Sequence, residues 1–207
     1  MVFNNILETI GKTPLIRLNS VVSHIPATVY AKIESFNPGL SAKDRIALHM
    51  IERAERLGQL KPGGTVVDAT SGNTGFSLAM VCAIKGYKCV LTVTSKISED
   101  KLNNLRAMGA EVHITRSDVG KGHPEYYQDV AARLAQDIPG AFFADQFNNP
   151  ANVDPNFAYL VHQLPLEGHG AVPIPGAKNQ AQAEENAGAM GWSMSVCANF
   201  CTRLAPN

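Results

Sequence analysis

Residues 65–84, TVVDATSGNTGFSLAMVCAI, predict the fold class, because an apolar strand, a polar loop and an apolar helix follow one another there. The β-branched residues of 65–70 are typical of a strand. Residues 76–84 are apolar almost all round, which is typical of a buried helix. A strand, a short loop and a helix in this order predict one unit of a parallel α/β sheet.

The same alternation extends on both sides of this stretch, from about residue 29 to residue 147. Upstream, apolar residues follow a helical stripe over 44–57, and Gly58 stands where a C-terminal cap belongs. Downstream, we predict strands over 89–94, 110–115 and 141–147, with intervening helices that begin after Ser98 and at Pro124. The pattern predicts a parallel sheet with helices on both faces and functional groups at the carboxyl ends of its strands.

Composition and charge exclude several classes of protein. The 207 residues are 45% hydrophobic and 17% charged, and 18 basic residues balance 18 acidic ones. No basic surface for nucleic acid is therefore expected. The longest apolar run is too short to span a bilayer, the N-terminus lacks a signal-peptide pattern, and four scattered cysteines do not make a secreted disulfide scaffold. We expect a cytoplasmic protein that handles small molecules, without nucleic-acid or membrane partners.

The loop of residues 70–75, TSGNTG, is the first candidate binding site. Its glycines let the backbone turn sharply and approach a ligand closely. The N–H groups at the start of the following helix, together with the loop hydroxyls, would bind an anion such as a carboxylate or a phosphate. The residues alone favour this interpretation and a plain strand–helix turn about equally.

The stretch 37–45, NPGLSAKDR, is the second candidate. It predicts a turn, a capping Ser41 and a helix that carries Lys43 in its first turn. A helix dipole disfavours positive charge at this end, and a neutral lysine is a nucleophile toward carbonyl groups. The alternative, a surface lysine paired with Asp44 or Glu34, is favoured by the residues alone. Because the histidines and cysteines show no metal-ligand spacing, we expect no metal site.

Five motifs in order resemble one family of enzymes. They are GKTPLIRL (11–18), FNPGLSAKDRIALHMI (36–51), VVDATSGNTGFSLA (66–79), LRAMGAEV (105–112) and DQFNNPAN (145–152). Between about residues 5 and 152 the chain resembles the cysteine synthase/cystathionine β-synthase family, whose members depend on pyridoxal 5′-phosphate (PLP). The resemblance implies a three-layer αβα parallel sheet of the tryptophan-synthase-β-like kind, fold type II, with its second domain incomplete in this chain.

The resemblance also implies roles for individual residues. Lys43 would bind PLP covalently and move the substrate α-proton, and Asn73 would hydrogen-bond the cofactor. The substrate α-carboxylate would be held by the side chains and backbone of five further residues: Thr70, Ser71, Gly72, Thr74 and Gln146. The implied chemistry is β-replacement on serine or O-acetylserine with a thiol or sulfide, as a lyase or transferase of cysteine and cystathionine synthesis. The family commonly forms homodimers.

The chain departs from the family pattern after the last motif. We expect residues 1–35 to belong to the larger PLP domain, 36–147 to form the small α/β domain, and 148–207 to be an unmatched tail. The family's GTGGT-like phosphate loop is not found, and our hypothesis is a disrupted reading frame near residues 153–157. Two rival functions follow: a catalytically inactive truncated fragment, and a serine/threonine dehydratase of the same fold.

Overall fold

A four-stranded parallel sheet lies at the centre of the computed structural model, which describes residues 2–20, 23–24, 28–70 and 72–152. These residues all belong to one compact unit, Met1–Tyr159. The predictions for residues 153–207 and the placement of Ser71 lie outside the described residues. The strands are β1 (Leu15–Arg17), β2 (Tyr30–Lys32), β3 (Thr65–Ala69), β4 (Lys88–Thr94), β5 (Glu111–Thr115) and β6 (Phe142–Phe143). The helices are α1 (Lys43–Arg56), α2 (Asn73–Lys85), α3 (Glu99–Ala107) and α4 (Tyr127–Asp137).

The central sheet has the strand order β5-β4-β3-β6, with every neighbouring pair parallel. Side chains alternate between its two faces, as the pleat of a strand requires. Val66 and Leu91 pack on the face covered by α1, α2 and α3, whereas Val67 and Val90 pack on the face covered by α4. The predicted α/β architecture with helices on both faces is therefore confirmed.

The helical stripe of α1 is buried as its sequence predicts. Its apolar face packs into the larger core through Ile46, Ala47, Met50, Ile51 and Ala54. Leu57 is the exception, because it lies just past the helix and is 60% exposed. Helix α2 is buried on almost every side, as its apolar sequence indicates, and it ends at Gly86, whose φ of 77° is left-handed.

Three predicted elements differ in extent from those observed. The helix expected over 76–84 runs from Asn73 to Lys85, so the last three residues of TSGNTG form its first turn instead of a loop. The helix expected to open at Pro124 begins at Tyr127, because the Tyr126 N–H donates to the His123 carbonyl and closes a turn first. The strand expected over 141–147 is limited to Phe142–Phe143. It ends early because Asp145 takes a positive φ of 41° and its carbonyl accepts two N–H groups of the next turn.

A separate two-stranded antiparallel sheet near the N-terminus was not expected from the sequence. Strand β1 pairs with β2, and Leu15, Ile16 and Tyr30 of these strands remain exposed. Neither strand alternates clearly between apolar and polar residues, so no periodic pattern in the sequence predicts these strands. In the part of the chain that the structure describes, no helix is long and apolar enough to cross a membrane.

A buried polar network ties the N-terminal segment to the start of α1. Glu34 accepts hydrogen bonds from Arg45 Nε at 2.7 Å and Arg45 Nη2 at 2.9 Å, a bidentate pair. Thr13 Oγ1 and Asn37 Nδ2 donate to the same carboxylate. The Asn37 side-chain oxygen in turn accepts the N–H of Gly11 at 2.8 Å. Segments far apart in sequence are thus fixed around one carboxylate.

Burial raises the pKa of Glu34, but the hydrogen bonds from Arg45, Thr13 and Asn37 outweigh it and bring that pKa from 4.5 down to about 2. A carboxylate whose pKa is lower in the folded than in the unfolded protein stabilises the fold above its unfolded pKa. That stabilisation is lost as the pH falls through the range between these two values.

We predict that Glu34→Gln lowers the free energy of unfolding by about 2 kcal/mol at pH 7, because a charge-assisted network loses its acceptor. The difference from wild type should shrink as the pH falls from about 4.5 toward 2. Urea unfolding over this pH range measures it. Asp137→Asn, the same change at an exposed acid, is the control and should have little effect. A Glu34→Gln deficit independent of pH would contradict the assigned role.

Candidate active site

The residues predicted to bind the cofactor lie at the N-termini of two helices. Lys43 is the first residue of α1 and Asn73 is the first residue of α2, and both are exposed. The predicted cap at Ser41 is displaced by one position: Ala42 is the N-cap, and Ser41 Oγ accepts the N–H of Lys43 at 3.2 Å. Both residues therefore stand where backbone N–H groups point away from their helix.

The side chain of Asp44 connects these two helix starts. Its Oδ2 accepts the N–H of Gly39 at 2.5 Å, and its Oδ1 lies 2.5 Å from Ser77 Oγ. Ser77, one turn into α2, is also 2.9 Å from the carbonyl oxygen of Asn73. Asp44 and Ser77 are both fully buried. From the start of α1, the Asp44 carboxyl group thus contacts both the NPG turn and Ser77 in the second turn of α2.

The alternative interpretation of Lys43 as an ion-paired surface lysine does not agree with these contacts. Asp44 is engaged by Gly39 and Ser77, and Glu34 is engaged by Arg45. Among the described residues, the amine of Lys43 has no hydrogen-bonding or ion-pairing partner.

The TSGNTG loop begins directly after β3. Thr70 is buried, its N–H donates to the Thr92 carbonyl of β4, and its Oγ1 accepts the N–H of Gly72 at 3.3 Å. Gly72 is the N-cap of α2 and offers no side chain to its first-turn N–H groups. Thr74 is buried in that first turn. The first turn of α2 therefore has no side-chain cap from Gly72, and the anion site there stays a prediction.

Gln146 follows β6 and lies at the carboxyl end of β3, as the parallel topology requires. It is 9% exposed, and its Nε2 donates to Asp68 Oδ2 at 3.0 Å and to the Ala69 carbonyl at 3.1 Å. Both protons of this amide are thus committed to neighbours within the protein. A substrate carboxylate would reach the amide only after the side chain had rotated away from Asp68.

Asp68 is a buried carboxyl within an otherwise apolar strand. Burial raises its pKa to about 7, with a smaller contribution from the negative charge of Asp145, while hydrogen bonds from Gln146 and Ala69 act in the opposite direction. Asp68 therefore changes protonation near neutral pH. Shifted carboxyl groups of this kind often accompany functional sites.

A cleft of about 250 Å³ opens beside the two helix starts. Gly39 and Leu40 of the NPG turn line one side, and Gly72 and Asn73 line another. The remaining lining residues are Phe76, Ile97, Lys101, Asn104 and Leu105. The cleft is open to solvent, with one cationic side chain. Within the described residues no group of three or more His, Cys, Asp or Glu side chains could hold a metal ion.

Sequence reasoning missed Asp44, Ser77 and Asp68. A carboxyl group two residues before a candidate loop, within a buried strand, is a signal that points to Asp68. Asp44 gave a weaker signal, because an acid in the first turn of a helix is common. Its role depends on a contact with Ser77, 33 positions away.

The fold and this arrangement define a class: an α/β protein with an exposed lysine at one helix start and a glycine-containing loop at the next. The chain belongs to the pyridoxal-phosphate dependent enzyme family, whose model matches residues 6–181. That match runs past residue 152, where the motif resemblance ends.

Curated relatives and solved structures agree with this family. The chain is 47% identical over 162 residues to a cysteine synthase of Staphylococcus aureus, covering 78% of this chain and 49% of that protein. It is 45% identical over 150 residues to a cystathionine beta-synthase of Apis mellifera, covering 72% of this chain and 30% of that protein. The crystal structure of O-ureido-L-serine synthase superposes with a TM-score of 0.67 at 39% identity. The match covers 77% of this chain and 50% of that protein. The chain thus spans about a third to half the length of these relatives.

We predict that Gly39→Ala destabilises the fold by about 2 kcal/mol or more, because an added Cβ would lie 2.1 Å from Asp44 Oδ1. Gly120→Ala is the matched control, since no atom lies within 4 Å of the Cβ position there. Urea unfolding of both variants measures the difference. If Gly39→Ala were as stable as Gly120→Ala, the close approach of the NPG turn to Asp44 would be refuted.

Proposed function

We propose that this chain carries the lysine-bearing part of a PLP site for β-replacement on serine or O-acetylserine, with a thiol or sulfide as the second substrate. The observation that carries the proposal is the exposed amine of Lys43, which has no partner among the described residues. Its helix start is joined through Asp44 and Ser77 to Asn73. Membership of a PLP-dependent family supports the cofactor. Relatives named cysteine synthase and cystathionine beta-synthase support the reaction class.

The described residues fit one end of this cofactor. An exposed amine suits covalent attachment to an aldehyde, and an exposed side-chain amide at Asn73 suits a ring oxygen. The open space at Gly72, where an added Cβ would meet no atom within 4 Å, leaves room beside them. No second glycine-rich loop that would suit a phosphate is found among the described residues.

Each residue has a role in the proposal. When bound, PLP supplies an electron sink for the α-carbon of the amino acid. Lys43 would hold the cofactor and then take the α-proton at its Nζ. Thr70, Gly72 and Thr74, with Ser71, would orient the substrate carboxylate at the start of α2. Gln146 would join them once its amide leaves Asp68.

The chain organisation is part of the same proposal. We assign residues 1–35 to a larger domain, which is supported by the exposed apolar side chains of β1 and β2. Residues 36–147 form the small domain in this proposal, and residues 148–207 follow it as a tail, which the family model matches as far as residue 181. The neutral charge and the unpaired, buried Cys82 and Cys89 agree with a cytoplasmic location. We also propose that the protein forms a homodimer, because the family that it resembles commonly does.

We predict that PLP mixed with the chain at equal concentration and reduced with borohydride labels Lys43, because its amine is exposed and has no partner in the part of the chain that the structure describes. Peptide mapping locates the label. Lys43→Ala should abolish it, and Lys121→Ala, at an exposed loop lysine, should leave it unchanged. A label spread evenly over surface lysines would show that the chain has no specific site, as expected for an inactive fragment.

A second assay separates the reaction types. Incubation with O-acetylserine or serine, with and without a thiol, is followed for the thioether product and for pyruvate. Thiol-dependent product supports β-replacement. Pyruvate release without a thiol requirement would indicate a dehydratase instead.

A further inference from the structure

The main chain of Gln146 is held on both sides by neighbouring side chains. Its N–H donates to Asp68 Oδ1 at 3.3 Å, and its carbonyl oxygen accepts from Asn152 Nδ2 at 2.5 Å. The preceding residue, Asp145, takes a left-handed φ of 41° and turns the chain after β6. The backbone of Gln146 is therefore fixed, so its freedom to respond to a ligand lies in its side chain.

The side-chain amide of Gln146 carries two protons, and consecutive residues of β3 accept both. Nε2 donates to Asp68 Oδ2 at 3.0 Å and to the carbonyl oxygen of Ala69 at 3.1 Å. A carbonyl group can only accept, so the Ala69 contact determines which end of the amide faces β3. This orientation holds whichever protonation state Asp68 takes. In this position the amide has no proton left for a ligand carboxylate.

Burial makes the contact between Asp68 and Gln146 costly to break. Asp68 is 1% exposed and Gln146 is 9% exposed. A buried carboxyl group that loses a donor has little access to water that could replace it, so the loss has a free-energy cost. A ligand that takes the amide away from Asp68 must supply that free energy from its own contacts.

We infer that Asp68 is a positioning residue that withholds the Gln146 amide from the substrate carboxylate, so that these two carboxyl groups compete for the same protons. The inference rests on the proposed function, in which Gln146 binds that carboxylate after leaving Asp68. Asp68 touches no substrate in this assignment, because it acts through Gln146. Its effect falls on ligands that carry a carboxylate, since other ligands do not require the amide to leave.

A second carboxyl group in the same place provides a matched control. Burial raises the pKa of Asp68 to about 7, and the charge of Asp145 adds to this rise, so the two groups lie close enough to interact. The Asp145 oxygens accept from Asn148 Nδ2 at 3.0 and 3.1 Å. Asp145→Asn therefore removes a nearby negative charge while both acceptors of the Gln146 amide stay in place. Asparagine also tolerates the left-handed backbone at this position.

The first test measures how fast the Gln146 amide protons exchange with water, by nitrogen-15 NMR of the full chain without cofactor. The pair of resonances lost in Gln146→Met identifies this amide. Its protons should exchange several times more slowly than those of Gln59, whose side chain is exposed. Exchange as fast as that of Gln59 would overturn the inference, because the amide would then not be held.

Variants of the two carboxyl groups extend this measurement at one fixed pH. Asp68→Asn should speed the exchange of the Gln146 amide severalfold, because asparagine offers one acceptor oxygen where the carboxyl group meets two N–H groups of Gln146. Asp145→Asn should leave the rate as in wild type. Equal rates in Asp68→Asn and wild type would mean that the Ala69 carbonyl alone holds the amide, and Asp68 would not be its positioning residue.

The second test compares L-serine with L-serinamide, which lacks the carboxylate, on the chain mixed with PLP. In wild type, serine should shift the Gln146 amide resonances and speed their exchange, and serinamide should do neither. This comparison decides the matter by itself if Asp68→Asn does not fold. A shift of equal size with serinamide would overturn the inference, because release of the amide would then not depend on a carboxylate.

Affinities of the same two ligands separate this inference from the proposed function. Asp68→Asn should bind serine severalfold more tightly than wild type and serinamide equally, whereas Asp145→Asn should bind both as wild type does. Equal tightening in both variants, or weaker serine binding by Asp68→Asn, would overturn the competition. With borohydride label on Lys43, that result leaves the proposed function standing. Without the label the proposed function fails, and slow exchange that Asp68→Asn speeds would still show that Asp68 positions Gln146.

Discussion

The buried carboxyl group of Asp44 is the constraint on which the candidate site depends. It receives the N–H of Gly39 at 2.5 Å and contacts Ser77 at the same distance, with no exposure to solvent. A buried polar group is costly unless every hydrogen bond is made, so its neighbours are restricted. Gly39 has no Cβ because the carboxyl group occupies that space, and residue 77 needs a hydroxyl. The local sequence follows from this one group.

The sheet adds a second, independent constraint at the carboxyl ends of β3 and β6. These strands are parallel neighbours, so Thr70 and Gln146, which follow them, lie at the same edge although they are 76 positions apart in the sequence. Asp68 holds the Gln146 amide at this edge. Asp44 organises the helix starts, whereas Asp68 organises the strand ends. Two buried carboxyl groups thus define two sides of one candidate site.

The sequence predicted the features that depend on local pattern. The period of apolar residues located the central sheet strands and the four helices, and glycines marked helix ends such as Gly86. The early end of β6 escaped prediction because it depends on a left-handed Asp145. The contacts of Asp44 with Ser77 and of Asp68 with Gln146 escaped prediction for another reason. They join residues 33 and 78 positions apart, and no local pattern encodes such contacts.

Three consecutive residues at the start of α1 show how one helical turn can serve three parts of the protein. Successive residues of an α-helix point about 100° apart, so neighbours in sequence face different surroundings. Lys43 faces outward, Asp44 binds the NPG turn and α2, and Arg45 binds Glu34 and the N-terminal segment. A displacement of the N-terminal segment would therefore act on α1 through Arg45, which is two positions from Lys43. The segment that completes the buried network is physically coupled to the lysine, although it contributes no side chain beside it.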